Sequence, residues 1–395
     1  MRTVVIVGAS LAGLSAAKAL RRQGFDGTIT LIGDELHRPY QRPPLSKQFL
    51  AGTWDRARLD LPDRGDLCLD AMLGTAAASL DLASREVTLE DGRRVRFDGL
   101  VIATGARARK PRWHAGLRGV FTLRTVDDAL ALRAYIAEGH RNVAIVGAGF
   151  IGCETAATLR SSGCDVTLID FERLPMLRAL GESLAGLCRD LHEAHGVRSV
   201  FGAGVEALVG RESVEGVRLT DARIVEADCV VVGTGVTPNV EWLAGSGLVI
   251  DDGVVCDSTC AALGSEGVVV AGDVARWQHP HYGPRRIEHW NNAIAQADAA
   301  VTTLLAMPGK GVPYAAVPFF WSDQYDCKLQ LIGAPEAGDA ARVVEGALGE
   351  RRFVMLFERD GSASGAFLFN SMHRVAAYTT TVEAGLGRVT EGIAQ

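Results

Sequence analysis

The chain has 395 residues, 48% of them hydrophobic and 22% charged, with a formal net charge of −6. That length suits two or three domains rather than one core, and the acidic balance excludes a general nucleic-acid binder, whose domain is basic. No apolar run reaches the ~18 residues of a membrane span. Met1-Arg2-Thr3 leads straight into an apolar strand rather than a signal peptide, so a cytoplasmic chain is expected.

The first element is a strand of β-branched residues ending in a glycine turn, VVIVGASLAG, from Val4 to Gly13. A helical stretch, LSAAKALRRQG, and a second strand, TITLIG, follow it. This strand–turn–helix–strand order places a pyrophosphate on a helix N-terminus. The stretch YQRPPLSKQFL comes next, from Tyr40 to Leu50, and no cysteine lies between Gly33 and Cys68. An apolar strand then ends in a Thr-Gly turn, LVIATGA, at Thr104 and Gly105. From Val143 the pattern repeats. VAIVGAGFIG carries Gly147, Gly149 and Gly152, the helix CETAATLRSSG and the strand DVTLID follow, and VVVGTGV closes the unit with Gly235. One G-x-G-x-x-G is a weak signal in a chain with 45 glycines, but two in the same context are strong. Two similar dinucleotide-binding units are therefore expected. A third apolar strand, EGVVVAGDVA, ends in Gly272-Asp273.

The spacing separates the two sites. Asp170 closes the strand after the second turn, 21 residues beyond Gly149. A carboxylate there accepts from the ribose hydroxyls of NAD and repels a 2′-phosphate, so NADH is expected over NADPH despite Arg173 nearby. In the first turn the middle glycine is replaced by Ser10, which narrows the approach to a pyrophosphate. The strand end there is Gly33, which leaves Asp34 as the ribose candidate with Glu35 beside it. The eight cysteines form no C-x-x-C pair and no metal-ligand spacing, and are read as reduced structural thiols, most of them buried; no metal site is expected.

These motifs, together with LIGDELHRPYQRPPLSK, LRTVDDA, RRIEHWNNA and FFWSDQYD, resemble the FAD-dependent NADH:ferredoxin reductases of bacterial oxygenase systems over essentially the whole chain. The family includes putidaredoxin reductase, rhodocoxin reductase and the reductases of biphenyl-type dioxygenases. The resemblance implies an α/β fold with two Rossmann-like dinucleotide-binding domains, glutathione-reductase-like, and a small α/β C-terminal domain. An FAD-binding domain would comprise 1–112 and 242–311, an NAD-binding domain 113–241, and the C-terminal domain 312–395. Non-covalent FAD would be held by Gly8, Ser10, Leu11, Ala12 and Gly13, with Asp34, Arg42, Lys47, Ala77, Thr104, Gly105, Arg124, Gly272, Asp273 and Trp290 around it. NADH would be held by Gly147, Gly149, Ile151, Gly152, Glu154, Asp170, Arg178 and Gly235. This chain departs from the family with His289, where a serine often precedes the tryptophan of the R-I-E-x-W motif.

The chemistry follows from what the cofactors do and what the chain lacks. A flavin carries the redox chemistry itself and needs alignment and electrostatics from the protein. Two prolines stiffen the turn before Lys47, which is expected beside the flavin and paired with Glu154, in the first turn of the second unit's helix. Lys47, Glu154 and Trp321 are the candidate catalytic residues, Trp321 lying over the flavin or between flavin and partner. Without a cysteine near the flavin, electrons leave directly to an external one-electron carrier, and a transiently bound 2Fe-2S ferredoxin fits. Arg107, Arg109, Lys110 and Arg112, or Arg285 and Arg286, are candidate docking charges. A monomer or weak homodimer is expected. An NADH oxidase or quinone reductase without a protein partner shares the same nucleotide machinery, as does a redox-responsive binding protein of the apoptosis-inducing-factor type.

Overall fold

A computed structural model describes residues 1–62, 67–113, 116–306 and 310–393, the last six as backbone. The first parallel sheet has the strand order Val268–Val270, Gly99–Ile102, Thr3–Val7, Thr28–Gly33, Leu69–Leu73. Its central strand, Thr3–Val7, runs beside Thr28–Gly33 in the register Val4↔Ile29 and beside Gly99–Ile102 in the register Val4↔Gly99. Helix α1 (Leu11–Arg22) follows the first turn, and α2 (Val126–Ala137) begins at a capping box between Thr125 and Asp128. A second parallel sheet has the order Val120–Thr122, Cys229–Val232, Asn142–Val146, Asp165–Asp170, Arg198–Phe201. Its register, Val143↔Val166 and Val143↔Cys229, repeats that of the first sheet. Helix α3 (Phe150–Ser161) follows the second turn, and α4 (Leu177–Ala194) packs behind it. Strand Val268–Val270 and helix α5 (Trp290–Leu305) return to the first sheet, where α5 lies against α1.

The strands read as continuous Val/Ile/Leu runs because helices or other strands cover both faces. Val4, Val5, Ile6, Val143, Ile145, Val230 and Val270 are all fully buried, each stabilising the fold by roughly 1.5–3 kcal/mol relative to exposure. From Phe319 on the chain forms a five-stranded antiparallel sheet, covered by α6 (Val375–Ile393). That sheet does not stand apart. Leu329, Phe353, Phe367 and Phe369 share one apolar cluster with Cys153, Leu159 and Leu184 of α3 and α4 and with Leu50. The C-terminal sheet therefore packs on the flank of the second unit.

The two glycine turns are built alike. At Gly8 φ is +118°, and a Cβ would come within 2.0 Å of the Ala103 carbonyl oxygen; at Gly147 φ is +105°, with the Gly233 oxygen at 2.2 Å. Only glycine fits, because the turn must cross directly over the neighbouring strand end. Among the described residues no helix is long and apolar enough to cross a membrane.

Candidate functional site

The ends of both parallel sheets open on one cleft of about 1870 Å³, mouth included. On the first-unit side Gly8, Ser10, Leu11, Ala12, Asp34, Arg42, Lys47, Thr104, Gly105, Arg124, Gly272, Asp273 and Trp290 line it. The second unit contributes Ile151, Glu154 and Gly235, and the C-terminal sheet adds Phe319, Phe320 and Trp321. Gly13 lies just beneath, where a Cβ would stand 1.9 Å from the Gly8 oxygen. Ala77 is not among the cleft-lining residues; it lies on a strand of a separate three-stranded sheet. Gly147, Gly149, Gly152, Asp170 and Arg178 do not line the cleft either; Gly147, Gly149 and Asp170 surround the second glycine turn.

Ser10 is the N-cap of α1, in extended backbone, and its side chain makes no capping bond. Its counterpart Gly149 is the N-cap of α3, where an added Cβ would meet nothing within 4 Å. A small side chain at this position therefore projects into open space and leaves the helix-terminal amides uncovered. Asp34 is exposed at the cleft, where its carboxylate accepts from the Glu35 amide. Glu35 is held inward by Tyr40 and Arg42, at 2.5 Å each. Asp170 accepts from the Ala148 amide at 2.6 Å and the Glu172 amide at 2.9 Å, so it also braces the turn. Arg178 pairs with Glu172 at 2.8 Å and lies over the exposed Phe171 ring.

The stretch Pro43–Ser46 is a 3₁₀ turn with proline at its first two positions. Fixed φ angles and the burial of Pro44, Leu45 and Ser46 carry Lys47 to the cleft wall. Thr158 of α3 donates to the Ser46 carbonyl at 2.7 Å, and Glu154, one turn earlier on the same helix face, receives Lys47 Nζ at 2.7 Å. The Glu154 side chain is 2% exposed and that of Lys47 11%. Two hydroxyls complete the carboxylate's shell, Ser46 Oγ at 2.6 Å and Ser322 Oγ at 2.8 Å. Glu154 is the fifth residue of α3, not in its first turn as the motif suggests. The helix dipole is weak there, since it falls off within the first turn, and discrete donors hold the charge. Sequence reasoning missed Ser46 and Ser322, although each is next to a candidate residue.

Across the cleft Arg124 reaches Asp273 at 2.6 Å and the Ala106 carbonyl at 2.9 Å. Thr104 and Asn239 exchange hydrogen bonds at 2.8 and 2.9 Å, tying the first unit to the second. The two residues at the start of α5 carry buried polar atoms with no partner, His289 Nδ1 and Trp290 Nε1. Both residues line the cleft. Buried polar groups are nearly always satisfied, so these two, with the bare N-terminus of α1, fit a polar, phosphate-bearing ligand. Trp321 meets Trp290 edge-on at 6.1 Å, and Phe320 packs on Phe150 at 3.9 Å and on His289 at 5.4 Å. All eight cysteines are unpaired, seven are buried, and none lines the cleft. Burial pushes the Cys153 thiol well up, which leaves it inert beside the site. Among the described residues no cluster holds a metal ion. Of the basic runs, Arg107 is paired with Glu241, Arg285 with Glu336, and Arg286 with Asp252 and Glu288, while Arg109, Lys110 and Arg112 are exposed.

Comparison with known proteins agrees with this geometry. Residues 2–297 match the pyridine nucleotide-disulphide oxidoreductase family, and residues 319–393 match the reductase C-terminal family. The chain is 38% identical to rhodocoxin reductase of Rhodococcus erythropolis, over 88% of this chain and 81% of that one. It is 37% identical to the ferredoxin–NAD(+) reductase component of the biphenyl dioxygenase system of Paraburkholderia xenovorans, over 96% and 93%. The solved covalent complex of putidaredoxin reductase with putidaredoxin superposes with a TM-score of 0.90 at 30% identity, over 98% of this chain and 93% of that one. Flavin and NAD(H) use follow from this kinship, and the chain belongs to the pyridine nucleotide-disulphide oxidoreductase family, in the branch that carries a reductase C-terminal domain.

Proposed function

We propose that this chain is an NADH:ferredoxin oxidoreductase that holds FAD non-covalently and delivers electrons singly to a 2Fe-2S ferredoxin serving an oxygenase. The observation that carries the reading is a cleft between two glycine turns that contains a buried Lys–Glu pair and an aromatic wall but no cysteine. FAD, when bound, supplies acceptance of an electron pair from nicotinamide and its release one electron at a time.

The chain's residues bind and orient. The bare amides at the start of α1, around Ser10, Leu11 and Ala12, take the pyrophosphate, and Asp34 takes the adenosine ribose. Asp273, Arg124, Arg42 and the α5 start at Trp290 hold the remainder. Gly149, Ile151 and Gly235 border the nicotinamide nucleotide, and Asp170 favours NADH. Lys47 and Glu154 hold each other at the boundary between the two nucleotides and fix the local field. Trp321, with Phe319 stacked on it at 6.2 Å, shields the site from water on the C-terminal side. The expected acceptor is an external protein, because none of the eight thiols reaches the cleft. Docking is small and transient, as electron-transfer encounters are, and the exposed Arg109, Lys110 and Arg112 are the available charges.

The test is NADH-driven cytochrome c reduction by the FAD-loaded protein, with and without a 2Fe-2S ferredoxin. Ferredoxin should stimulate the rate many-fold and in a saturable way. Rapid oxygen or quinone reduction that no ferredoxin stimulates refutes the assignment.

A further inference from the structure

Glu154 is the end of a buried polar chain that the proposed reaction does not itself require. Ser322 Oγ lies 2.8 Å from Glu154 Oε1, and Gln324 Nε2 lies 3.1 Å from Ser322 Oγ. Gln324 Oε1 lies 3.0 Å from His192 Nε2, and His192 Nδ1 lies 3.1 Å from the Tyr325 hydroxyl. Glu154, Ser322, Gln324 and His192 are all at most 2% exposed. Ser322 and Gln324 sit on one face of the strand Phe319–Gln324, while Trp321, the residue before Ser322, faces the cleft aromatic wall. His192 comes from α4, and Tyr325 from the tight turn that begins the next strand. The chain therefore joins the C-terminal sheet to the second unit, and it ends on the partner of Lys47, which belongs to the first.

Counting protons fixes the direction of every bond. A carboxylate only accepts, so Ser322 must donate its one proton to Glu154. Ser322 Oγ must then accept from Gln324, which turns the amide so that its oxygen faces His192. His192 must answer with Nε2–H. Burial pushes the His192 imidazole down to about 4, so at neutral pH it carries a single proton and its Nδ1 is bare. Nδ1 must therefore accept from Tyr325, whose hydroxyl keeps its proton because burial pushes it up. Stacking on His195 at 3.6 Å holds the Tyr325 ring in place, and His195 Nδ1 donates to the Leu191 carbonyl. Every donor along the chain points towards Glu154, the arrangement in which successive hydrogen bonds strengthen one another.

We propose that Ser322, Gln324, His192 and Tyr325 are positioning residues that aim and hold the Glu154 carboxylate against Lys47, which makes the C-terminal hairpin part of the NADH-side machinery. The proposal rests on the reading that the Lys47–Glu154 pair borders the nicotinamide. It extends the C-terminal domain's part in the site beyond Trp321.

Two measurements test it on the FAD-loaded protein. The first is nitrogen-15 NMR of histidine-labelled protein, with the His192 signal assigned by its loss in His192→Gln. The expected result is one neutral Nε2–H tautomer, unchanged from pH 5.5 to 8. An Nδ1–H tautomer, or titration near the ordinary imidazole value, overturns the chain. The second is stopped-flow reduction of bound FAD by NADH. Ser322→Ala removes a hydrogen bond to a charged group, and should lower the limiting rate on the order of tenfold while changing the NADH dissociation constant less than about twofold. Ser322→Thr, which keeps the hydroxyl, should restore the rate. An unchanged rate in Ser322→Ala, or no rescue by threonine, refutes the proposal. Where Ser322→Ala yields little folded protein, Gln324→Met breaks the chain one link further away and should slow reduction by a smaller factor; no slowing refutes it. Neither measurement uses ferredoxin. Loss of ferredoxin stimulation with these results intact would strike the acceptor assignment alone.

Discussion

Replacing Lys47 by methionine should destabilise the protein more than replacing both members of its pair. Lys47 Nζ and Glu154 Oε2 lie 2.7 Å apart, with side chains 11% and 2% exposed. At that separation and an effective dielectric of about 20 the gross attraction is about 6 kcal/mol, most of which repays the loss of hydration. Lys47→Met keeps the length of the side chain but leaves Glu154 buried with only the Ser46 and Ser322 hydroxyls. An uncompensated buried charge costs about 3–5 kcal/mol. Glu154→Gln should cost less, about 1–2 kcal/mol, because the amide still bonds the hydroxyls and the lysine end borders the open cleft. In the double variant no charge is stranded. Its loss should fall below the sum of the single losses by about 2 kcal/mol or more. The assay is urea unfolding of the FAD-loaded protein, followed by far-ultraviolet circular dichroism, for the parent and the three variants. Strictly additive losses, or a Lys47→Met variant within about 0.5 kcal/mol of the parent, would refute the reasoning. The pair would then be a surface contact that happens to be covered.

The other predictions concern the turns and the buried imidazole. Gly152→Ala should cost well over 1 kcal/mol through overpacking, since its Cβ would stand 1.9 Å from the Gly147 oxygen. Gly149→Ala has open space and should stay within about 1 kcal/mol of the parent; melting temperatures decide between them. Asp170→Ala should lower the kcat/KM preference for NADH over NADPH at least tenfold and loosen the turn, because Asp170 also accepts from the Ala148 amide; an unchanged preference would remove Asp170 from nucleotide selection. His192 is held neutral, with its folded value near 4 against an ordinary 6.5. The unfolded chain then binds more protons between those values, so the contribution of His192 is constant above pH 6.5 and is lost as pH drops towards 4, by up to about 3 kcal/mol. His279 and His289, pushed down to about 4 by the same burial, act in the same direction. Unfolding midpoints measured across this range should show the fall, and His192→Asn should make it shallower.

What the sequence made legible was local. Each glycine turn needs its own strand before it and its own helix after it, so the two units and their correspondence can be read from short windows. The position of Glu154 within α3 could not be, because Gly149 serves as N-cap and the helix begins at Phe150, three residues before the stretch CETAATLRSSG read as helical, which carries Glu154 past the first turn. Lys47 was placed beside Glu154 by the stiffened proline turn together with the family resemblance, as no periodicity spans the intervening residues. Ser322 lay in a stretch already singled out for Trp321. Strand alternation would have put it on the opposite face, towards the second unit. The surroundings of the candidate docking charges were hidden for a related reason. A run of arginines shows its charge in sequence but not its partners, and Glu241, Glu336 and Asp252 lie far along the chain from the residues they neutralise. The same long separations explain why the site is stable as a site. Glu154 is held by a turn from the first unit, a helix of the second and a strand of the C-terminal sheet. Displacing any one of the three leaves a buried carboxylate short of a donor. The cleft thus keeps its geometry through the whole molecule's packing, and the family motifs mark only the points where that packing reaches the cleft wall.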